Sequence, residues 1–481
     1  MLIILTNVFN LLVNFVVGLI VANFLGPESF GRFAVAIGAG ALVQVALFGW
    51  LRLAAARFYS ETVRFERPEL RASLDRALWA LAMLVTLAGL AGAALGEHFD
   101  AAPALIFWGL AFAAANGAFE YRLALLRARF HDKGYAGLIL VKNMLSLALT
   151  AGLAWATGSA SSTLAGTTMS LGLAALLLGR ALRDPDAART RPRASVLRGS
   201  LAYGMPLSAS LLLFALIPLA NRALGAQASG FADAGQLSLA QDIGQRFVMT
   251  IGFAMDQLLF QLAVRADEHH GEDHGRAQIA QNMAVMAAIL LPGLAGVWLV
   301  LPSFEALIVP AEFRGAFART LSLLMPGLVA YGLMTFALAP AFQIARRTWP
   351  VIAAAGIACV ADFALLAAWR GAWSVDALAL AQSGAMICGC LALGAMSRLA
   401  RPQWPRARDT IGIVVATVAM LALVTPLRAG MHPGVGALLT QTLCGMAIYG
   451  VIVLAFDIAG LRTALASLAP SSKKRTARGR S

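Results

Sequence analysis

Runs of apolar residues of spanning length, each closed by a short polar gap, repeat along almost the whole chain. A helix needs about 20 mostly apolar residues to cross roughly 30 Å of hydrocarbon. Fourteen stretches meet that length: residues 2–24, 31–52, 77–95, 103–122, 136–156, 162–180, 200–220, 232–260, 277–300, 319–342, 350–369, 375–397, 410–428 and 435–459. Backbone polar groups in hydrocarbon must be satisfied inside their own segment, so each stretch is predicted to be a helix. The expected fold is an all-α, polytopic integral membrane protein of about 14 transmembrane helices, or twelve to thirteen if short joints merge. No gap is long enough for a soluble domain.

Charge sets an orientation. Thirty of the 38 Lys and Arg residues lie in every second gap or in the tail, with Arg32, Arg222, Arg314, Arg319, Arg370 and Arg428 at the other gaps and Lys142 and Arg246 inside spans. Short loops rich in Lys and Arg stay cytoplasmic, so both termini are expected on the cytoplasmic side. A net charge of +14 in a soluble chain would suggest nucleic acid; with 59% hydrophobic and 13% charged residues it is topological, and no nucleic-acid partner is expected. No basic n-region or cleavage site precedes the first span, so no signal peptide is expected. The four cysteines, Cys359, Cys388, Cys390 and Cys444, lack metal-ligand spacing and read as small buried apolar residues.

A weak internal duplication divides the chain. Leu25-Gly26-Pro27-Glu28-Ser29-Phe30-Gly31 joins spans 1 and 2, and Leu224-Gly225-Ala226-Gln227-Ala228-Ser229-Gly230 joins spans 7 and 8. Both read Leu-Gly-x4-Gly, at an offset of six spans, which predicts two parallel six-helix lobes related by an axis along the membrane normal. The expected organisation is an N-terminal lobe over 1–183 and a cytoplasmic basic linker over 184–199, read as a solvated hinge. A C-terminal lobe over 200–397, two extra helices within 398–470 and a basic tail over 471–481 follow. The tail reads as a topology anchor that also suits anionic headgroups.

Polar residues inside spans are costly and mark cavities or partners. Asn7, Asn10 and Asn14 recur at i, i+3 and i+7, which places three amides on one face of span 1. Asn116 and Glu120 sit in span 4, and Lys142 with Ser146 in span 5, so that Glu120 and Lys142 are candidates for a mutual ion pair. Span 8 carries Gln236, Gln241, Asp242, Gln245, Arg246, Thr250, Asp256, Gln257 and Gln261. Asp242 and Arg246 form an i, i+4 pair able to neutralise each other, but so many amides require one face to line water or protein. Gln44 and Arg52 share a face of span 2, and Arg57 follows; Asp362 stands isolated in span 11. Pro206, Pro218, Pro292, Pro326 and Pro340 predict kinks.

Soluble-enzyme chemistry is not apparent. There is no phosphate-binding loop and no nucleophile–base constellation, so no enzyme activity and no cofactor are expected. His269, His270 and His274 with Glu268, Glu272 and Asp273 read as a solvated loop rather than a metal site.

The run Ala22-Asn23-Phe24-Leu25-Gly26-Pro27-Glu28-Ser29-Phe30-Gly31-Arg32-Phe33 resembles the signature of polysaccharide-biosynthesis flippases in the multidrug/oligosaccharidyl-lipid/polysaccharide exporter superfamily. Arg57-Phe58-Tyr59-Ser60-Glu61 is similar too, as is Asn221-Arg222-Ala223-Leu224-Gly225, where Asn221 departs from the Asp common in that family. The resemblance implies export of undecaprenyl-diphosphate-linked oligosaccharide across the bacterial inner membrane by alternating access. Partners would be membrane lipids and a polysaccharide polymerase with its export machinery. A diphosphate needs cations along its route, and Arg suits phosphate recognition. The substrate-binding candidates are therefore Arg52 and Arg57 at the cytoplasmic mouth, Lys142 and Arg246 deeper, and Arg222 at the outer mouth. Asn7, Asn10, Asn14, Gln44, Gln241 and Gln245 would meet sugar hydroxyls. A cation or multidrug antiporter of the same superfamily would instead use Glu120, Asp242 and Asp362 for ion coupling. A polysaccharide polymerase would need a larger outer loop than residues 301–318.

Overall fold

In the computed structural model of the chain, the first two apolar stretches form one element, α1 (Leu2–Phe58), broken at a single residue, Gly26. Its backbone turns through φ 65° and ψ 173°, a conformation glycine reaches without a Cβ penalty. Pro27 then restarts the helix, where its fixed φ is suitable and its missing N–H costs nothing. The joint expected to occupy several residues is thus one residue long.

The structure describes residues 2–96, 102–177, 179, 182, 184–344, 347, 349–397 and 404–462, and among these it is all helical with no strand. After α1 come α2 (Glu61–Glu66), α3 (Pro68–Gly96) and α4 (Pro103–Ala128). The fifth span is composite: α5 (Asp132–Leu145), a π-helical turn over Ser146–Ala151, and α6 (Gly152–Thr157). Next are α7 (Ala160–Leu177), α8 (Pro185–Arg189), α9 (Ala194–Ala228), α10 (Phe231–His270) and α11 (Glu272–Ile308). α12 (Ala316–Gly332) passes through a second π-helical turn, Leu333–Leu338, into α13 (Ala339–Ile344). α14 (Trp349–Ala368), α15 (Val375–Met396), α16 (Ala407–Gly430) and α17 (Val435–Ala455) complete the bundle. The second π turn ends just before Pro340, whose ring would clash with the carbonyl four residues back in an uninterrupted α-helix.

Eleven helical stretches among the described residues are long and apolar enough to span a membrane. A count of fourteen requires α1 to be read as two spans at Gly26, and adds α4, with Asn116 and Glu120, and α10, with Gln241, Asp242, Gln245 and Arg246. Large apolar side chains such as Leu84, Leu391 and Val451 point outward, as contact with lipid requires.

By compactness the chain forms two units. The first comprises Met1–Arg246, Ile308–Leu328 and Thr348–Leu393. Its core joins α1, α3, α4, α5 and α7 around Phe48, Leu74, Tyr121, Leu125, Leu138 and Leu164, all essentially inaccessible. The second comprises Phe247–Leu307, Val329–Arg347 and Gly394–Ser481. There α11 packs on α16 and α17 through Ala284, Ala288, Ile413, Ala416 and Val453, and through Leu299, Met420 and Val424. The Arg428 guanidinium lies 4.0 Å from the Trp298 ring centroid, a cation–π contact.

Two readings change. The segment read as a solvated hinge is partly folded: Asp184 caps α8 and is buried, while the Arg193 N–H donates to Ser73 Oγ at 2.9 Å. Of the cysteines, Cys359 is buried but Cys388 is exposed, because its helix turns that side to lipid. The tail 471–481 lies outside the described residues.

Candidate functional site

The amide face of span 1 is the spine of the site. Tyr135 O–H donates to Asn7 Oδ1 at 2.8 Å, and Lys142 Nζ donates to Asn14 Oδ1 at 2.9 Å. Asn14 Nδ2 in turn donates to Asn10 Oδ1 at 3.0 Å. Both links to α5 join residues 128 apart in sequence, so α1 and α5 run parallel with matching two-turn steps. That register explains why Lys142 meets Asn14 and not Glu120. The expected direct ion pair is not formed among the described residues; Glu120 instead lies within electrostatic range of both Lys142 and Arg52. Lys142 is 7% exposed.

Arg246 of α10 reaches the same face one turn further along. A Cβ placed on Gly18 would stand 3.5 Å from Arg246 Nη2, in ordinary van der Waals contact, so the guanidinium lies against α1 at Gly18. Lys142 and Arg246 lie within electrostatic range of each other. Asn7, Asn10, Asn14 and Gly18 thus form one strip of α1, joined by Tyr135, Lys142 and Arg246, with Glu120 in range of Lys142 and Arg52 in range of Glu120.

A second group surrounds Asp242. Arg222 Nη2 donates to Asp242 Oδ1 at 2.5 Å, and Asp242 also acts electrostatically on Arg246. The i, i+4 partnership read in span 8 is therefore shared with a residue of α9. Gln241, buried, accepts from Gln382 Nε2 at 2.5 Å. Gln44 is buried, Gln245 is half-buried and Arg57 is exposed.

Asp362, isolated in sequence, has a partner in space. Asn221 Nδ2 donates to both its carboxylate oxygens, at 3.0 and 2.9 Å, and both residues are inaccessible to solvent. An Asp at 221 would set two carboxylates against each other, which disfavours ionising both; an amide supplies a donor instead.

At the ends poor in Lys and Arg, α1 and α10 meet backbone to backbone. A Cβ on Gly31 would collide with the Phe231 carbonyl, and a Cβ on Gly235 with the Pro27 carbonyl. The contact is reciprocal at an offset of 204 residues. Gly26 and Gly230 share that offset, and both have positive φ one residue before a helix restarts. The positive-φ glycines Gly26 and Gly230 stand 204 residues apart, five residues from the register of the Leu-Gly-x4-Gly match, which places Gly26 opposite Gly225 inside α9. Phe313 packs edge-on against Phe30 with centroids 5.8 Å apart, and Gln236 Nε2 donates to the Glu312 carbonyl at 3.2 Å.

At the basic end a charge network ties loops together. Arg129 Nε contacts Glu61 Oε2 at 2.7 Å, and Arg64 bridges Glu61 at 3.1 Å and Asp184 at 3.4 Å. Hydrogen bonding from the Arg129 guanidinium holds the Glu61 carboxyl below its ordinary range. No group of three His, Cys, Asp or Glu among the described residues is placed to hold a metal; the side chains of Glu268, His269, His270 and Glu272 lie outside those described. Tyr135 and Gln382 were not singled out from sequence. Tyr135 had a readable signal: it precedes Lys142 by the same seven residues that separate Asn7 from Asn14.

No protein-family model and no curated protein matches the sequence. Among solved structures the chain is similar to lipid II flippase MurJ in an inward closed conformation, with a TM-score of 0.71 and 14% identity over 96% of this chain and 99% of that one. It is also similar to a multidrug resistance MATE family transporter of the MOP superfamily in an inward-facing conformation, at a TM-score of 0.56 and 14% identity, covering 81% and 94% of the two chains. A mutant MATE transporter from Vibrio cholerae gives 0.53 and 14%, covering 82% and 94%. At such identity the likeness establishes the fold: a MurJ- and MATE-like helical architecture. The similar structures are of transporters and flippases, not enzymes.

Proposed function

We propose that the chain is a flippase that moves a diphosphate-linked lipid oligosaccharide across the bacterial inner membrane by alternating access, for polysaccharide biosynthesis. The observation that carries this reading is the strip of α1 described above. Lys142 and Arg246 gather there beside the amides, and Arg52 lies in range of Glu120, the acid in range of Lys142, while Asp242 is engaged by Arg222. A diphosphate entering low dielectric needs such cations. Lys142 offers a point charge and the arginines a forked donor set. Asn7, Asn10, Asn14 and Tyr135 offer donors and acceptors of the kind that sugar hydroxyls require. Likeness to a lipid II flippase over nearly the whole of both chains supports a lipid-linked substrate. In this reading both termini face the cytoplasm, and the Gly31–Gly235 contact closes the outer side.

Export of cationic drugs is the second reading, favoured by Glu120, which has no hydrogen bond or ion pair among the described residues, and by the buried Asp362. A strain lacking the chain decides between them when complemented with wild type, Arg246→Ala or Arg52→Ala. The flippase reading expects lipid-linked oligosaccharide to accumulate and surface polysaccharide to be lost, with rescue by wild type alone. Normal polysaccharide with new sensitivity to cationic drugs would assign drug export instead.

A further inference from the structure

The turn between α4 and α5 holds a phenylalanine where a glycine is ordinarily found. Phe130 has φ 53°; its N–H donates to the Arg127 carbonyl and the His131 N–H to the Leu126 carbonyl, both at 3.0 Å. This is the left-handed helix stop, a position that favours Gly because a Cβ crowds the following carbonyl. The other two non-glycine residues with positive φ, among those described, have a local use for it. Ala459 is buried, and Asp457 accepts from the Arg462 N–H. Phe130 is 88% exposed. Strain there presents an aromatic ring outward instead of packing it.

Depth and charge indicate what the ring meets. α4 has 26 residues, about 39 Å of helix against roughly 30 Å of hydrocarbon. A helix of that length with Arg127 and Arg129 at its C-terminal end is expected to emerge there into the headgroup layer, with Phe130 beside it. The Arg129–Glu61 bridge holds α2 beside this turn, and α2 exposes a second ring, Phe65, which is 64% exposed with the Arg64 guanidinium 5.2 Å from its centroid. Residues 61–67 and 127–133 carry five Lys or Arg against three carboxylates, and one of those, Glu61, is already bridged by Arg129 and Arg64. Rings that sit at headgroup depth among cations suit the membrane interface, where aromatic residues concentrate and basic residues are drawn to anionic lipid. We propose that Phe130 and Phe65, framed by Arg67, Arg127 and Lys133, form a docking patch for anionic phospholipid headgroups at the basic end of the first unit. This patch is separate from the polar strip of α1 and does not depend on what is transported.

The test uses the full-length protein in nanodiscs of phosphatidylcholine alone or with a third phosphatidylglycerol. Wild type is expected to melt higher in the anionic discs. Phe130→Gly is expected to melt roughly 1–2 °C higher than wild type in the neutral discs, because it relieves the left-handed strain. The same variant is expected to lose at least half of the increment that phosphatidylglycerol confers. Phe65→Ser, which leaves the backbone strain in place, is expected to lose part of that increment without the gain in neutral lipid. A photo-crosslinking phenylalanine analogue at position 130 is expected to capture phospholipid in native membranes. A full anionic increment in Phe130→Gly would overturn the proposal, as would its melting below wild type in neutral discs, which would mean the ring packs into the fold. Capture of a protein in place of lipid would overturn it too, assigning the patch to a protein partner.

Discussion

A lysine buried in a spanning helix needs a fixed acceptor for its ammonium, and in Lys142 that acceptor is the neutral Asn14 oxygen at 2.9 Å. A neutral partner leaves the positive charge available to an incoming anion, whereas a carboxylate would have cancelled it. Replacing Lys142 by Met removes a desolvated charge, a change that is often neutral or stabilising. Lys142→Met is therefore expected to keep or raise the melting temperature while flux of a diphosphate-linked lipid in proteoliposomes falls about tenfold or more, as for loss of one charged contact. A parallel loss of stability and flux would make Lys142 a structural residue. Asn7, Asn10 and Asn14 were readable because helical periodicity alone places them on one face. Gln382 was not, and Tyr135 showed only its matching seven-residue spacing to Lys142, because which residue each helix meets depends on how two helices are shifted along each other. Asn221 and Asp362 make the same point: 141 residues apart, each appeared anomalous until placed against the other.

Among the elements, the break at Gly26 and the restart after Gly230 illustrate what local rules can and cannot settle. Gly and Pro marked the first joint and Gly the second, but the heptapeptide match sets Gly225 opposite Gly26, whereas the glycine that shares Gly26's positive φ is Gly230, since sequence likeness does not report φ. The Gly31–Gly235 contact brings two backbones together with no room for a side chain, so Gly31→Val is expected to destabilise the closed contact by about 1–3 kcal/mol. Spin labels at the exposed positions Glu28 and Ala232 are expected to report a short, narrow distance in wild type and a longer or broader one in Gly31→Val. An unchanged distribution would show that the contact does not hold these ends together. At the basic end, Glu61 joins α2 to the turn after α4. Because its carboxyl is held below the ordinary range, the stabilisation it contributes is present above about pH 4.3 and is lost as pH falls through Glu61's own lower value. Glu61 is half exposed and screened, so the effect is small. Glu61→Gln is expected to lower the melting temperature slightly at pH 7 and to flatten its decline below pH 4.3; identical profiles for both proteins would exclude the bridge.

For the whole molecule, the distribution of charge leads to a topology that labelling can test. In a chain with Cys359, Cys388, Cys390 and Cys444 replaced, a cysteine at the exposed Ala311 is expected to react with an impermeant maleimide added to intact cells. One at the exposed Thr62 is expected to react only after permeabilisation. The reverse pattern would invert the orientation and with it the direction of transport proposed. Membrane class and all-helical fold were legible in the chain because hydrocarbon imposes a length and an internal hydrogen-bonding pattern on every segment separately. These are local constraints, each readable within about 20 residues. Tertiary structure alone decided that Lys142 faces Asn14 rather than Glu120, that Asp242 is shared by Arg222 and Arg246, and that Asn221 serves Asp362. Each of those choices depends on the axial shift and rotation of packed helices, and those depend on close contacts such as Gly31 against Phe231 and Gly235 against Pro27. The side chain that is absent at such a contact is as decisive as the polar one beside it, and no periodicity in the sequence distinguishes that glycine from the other 44.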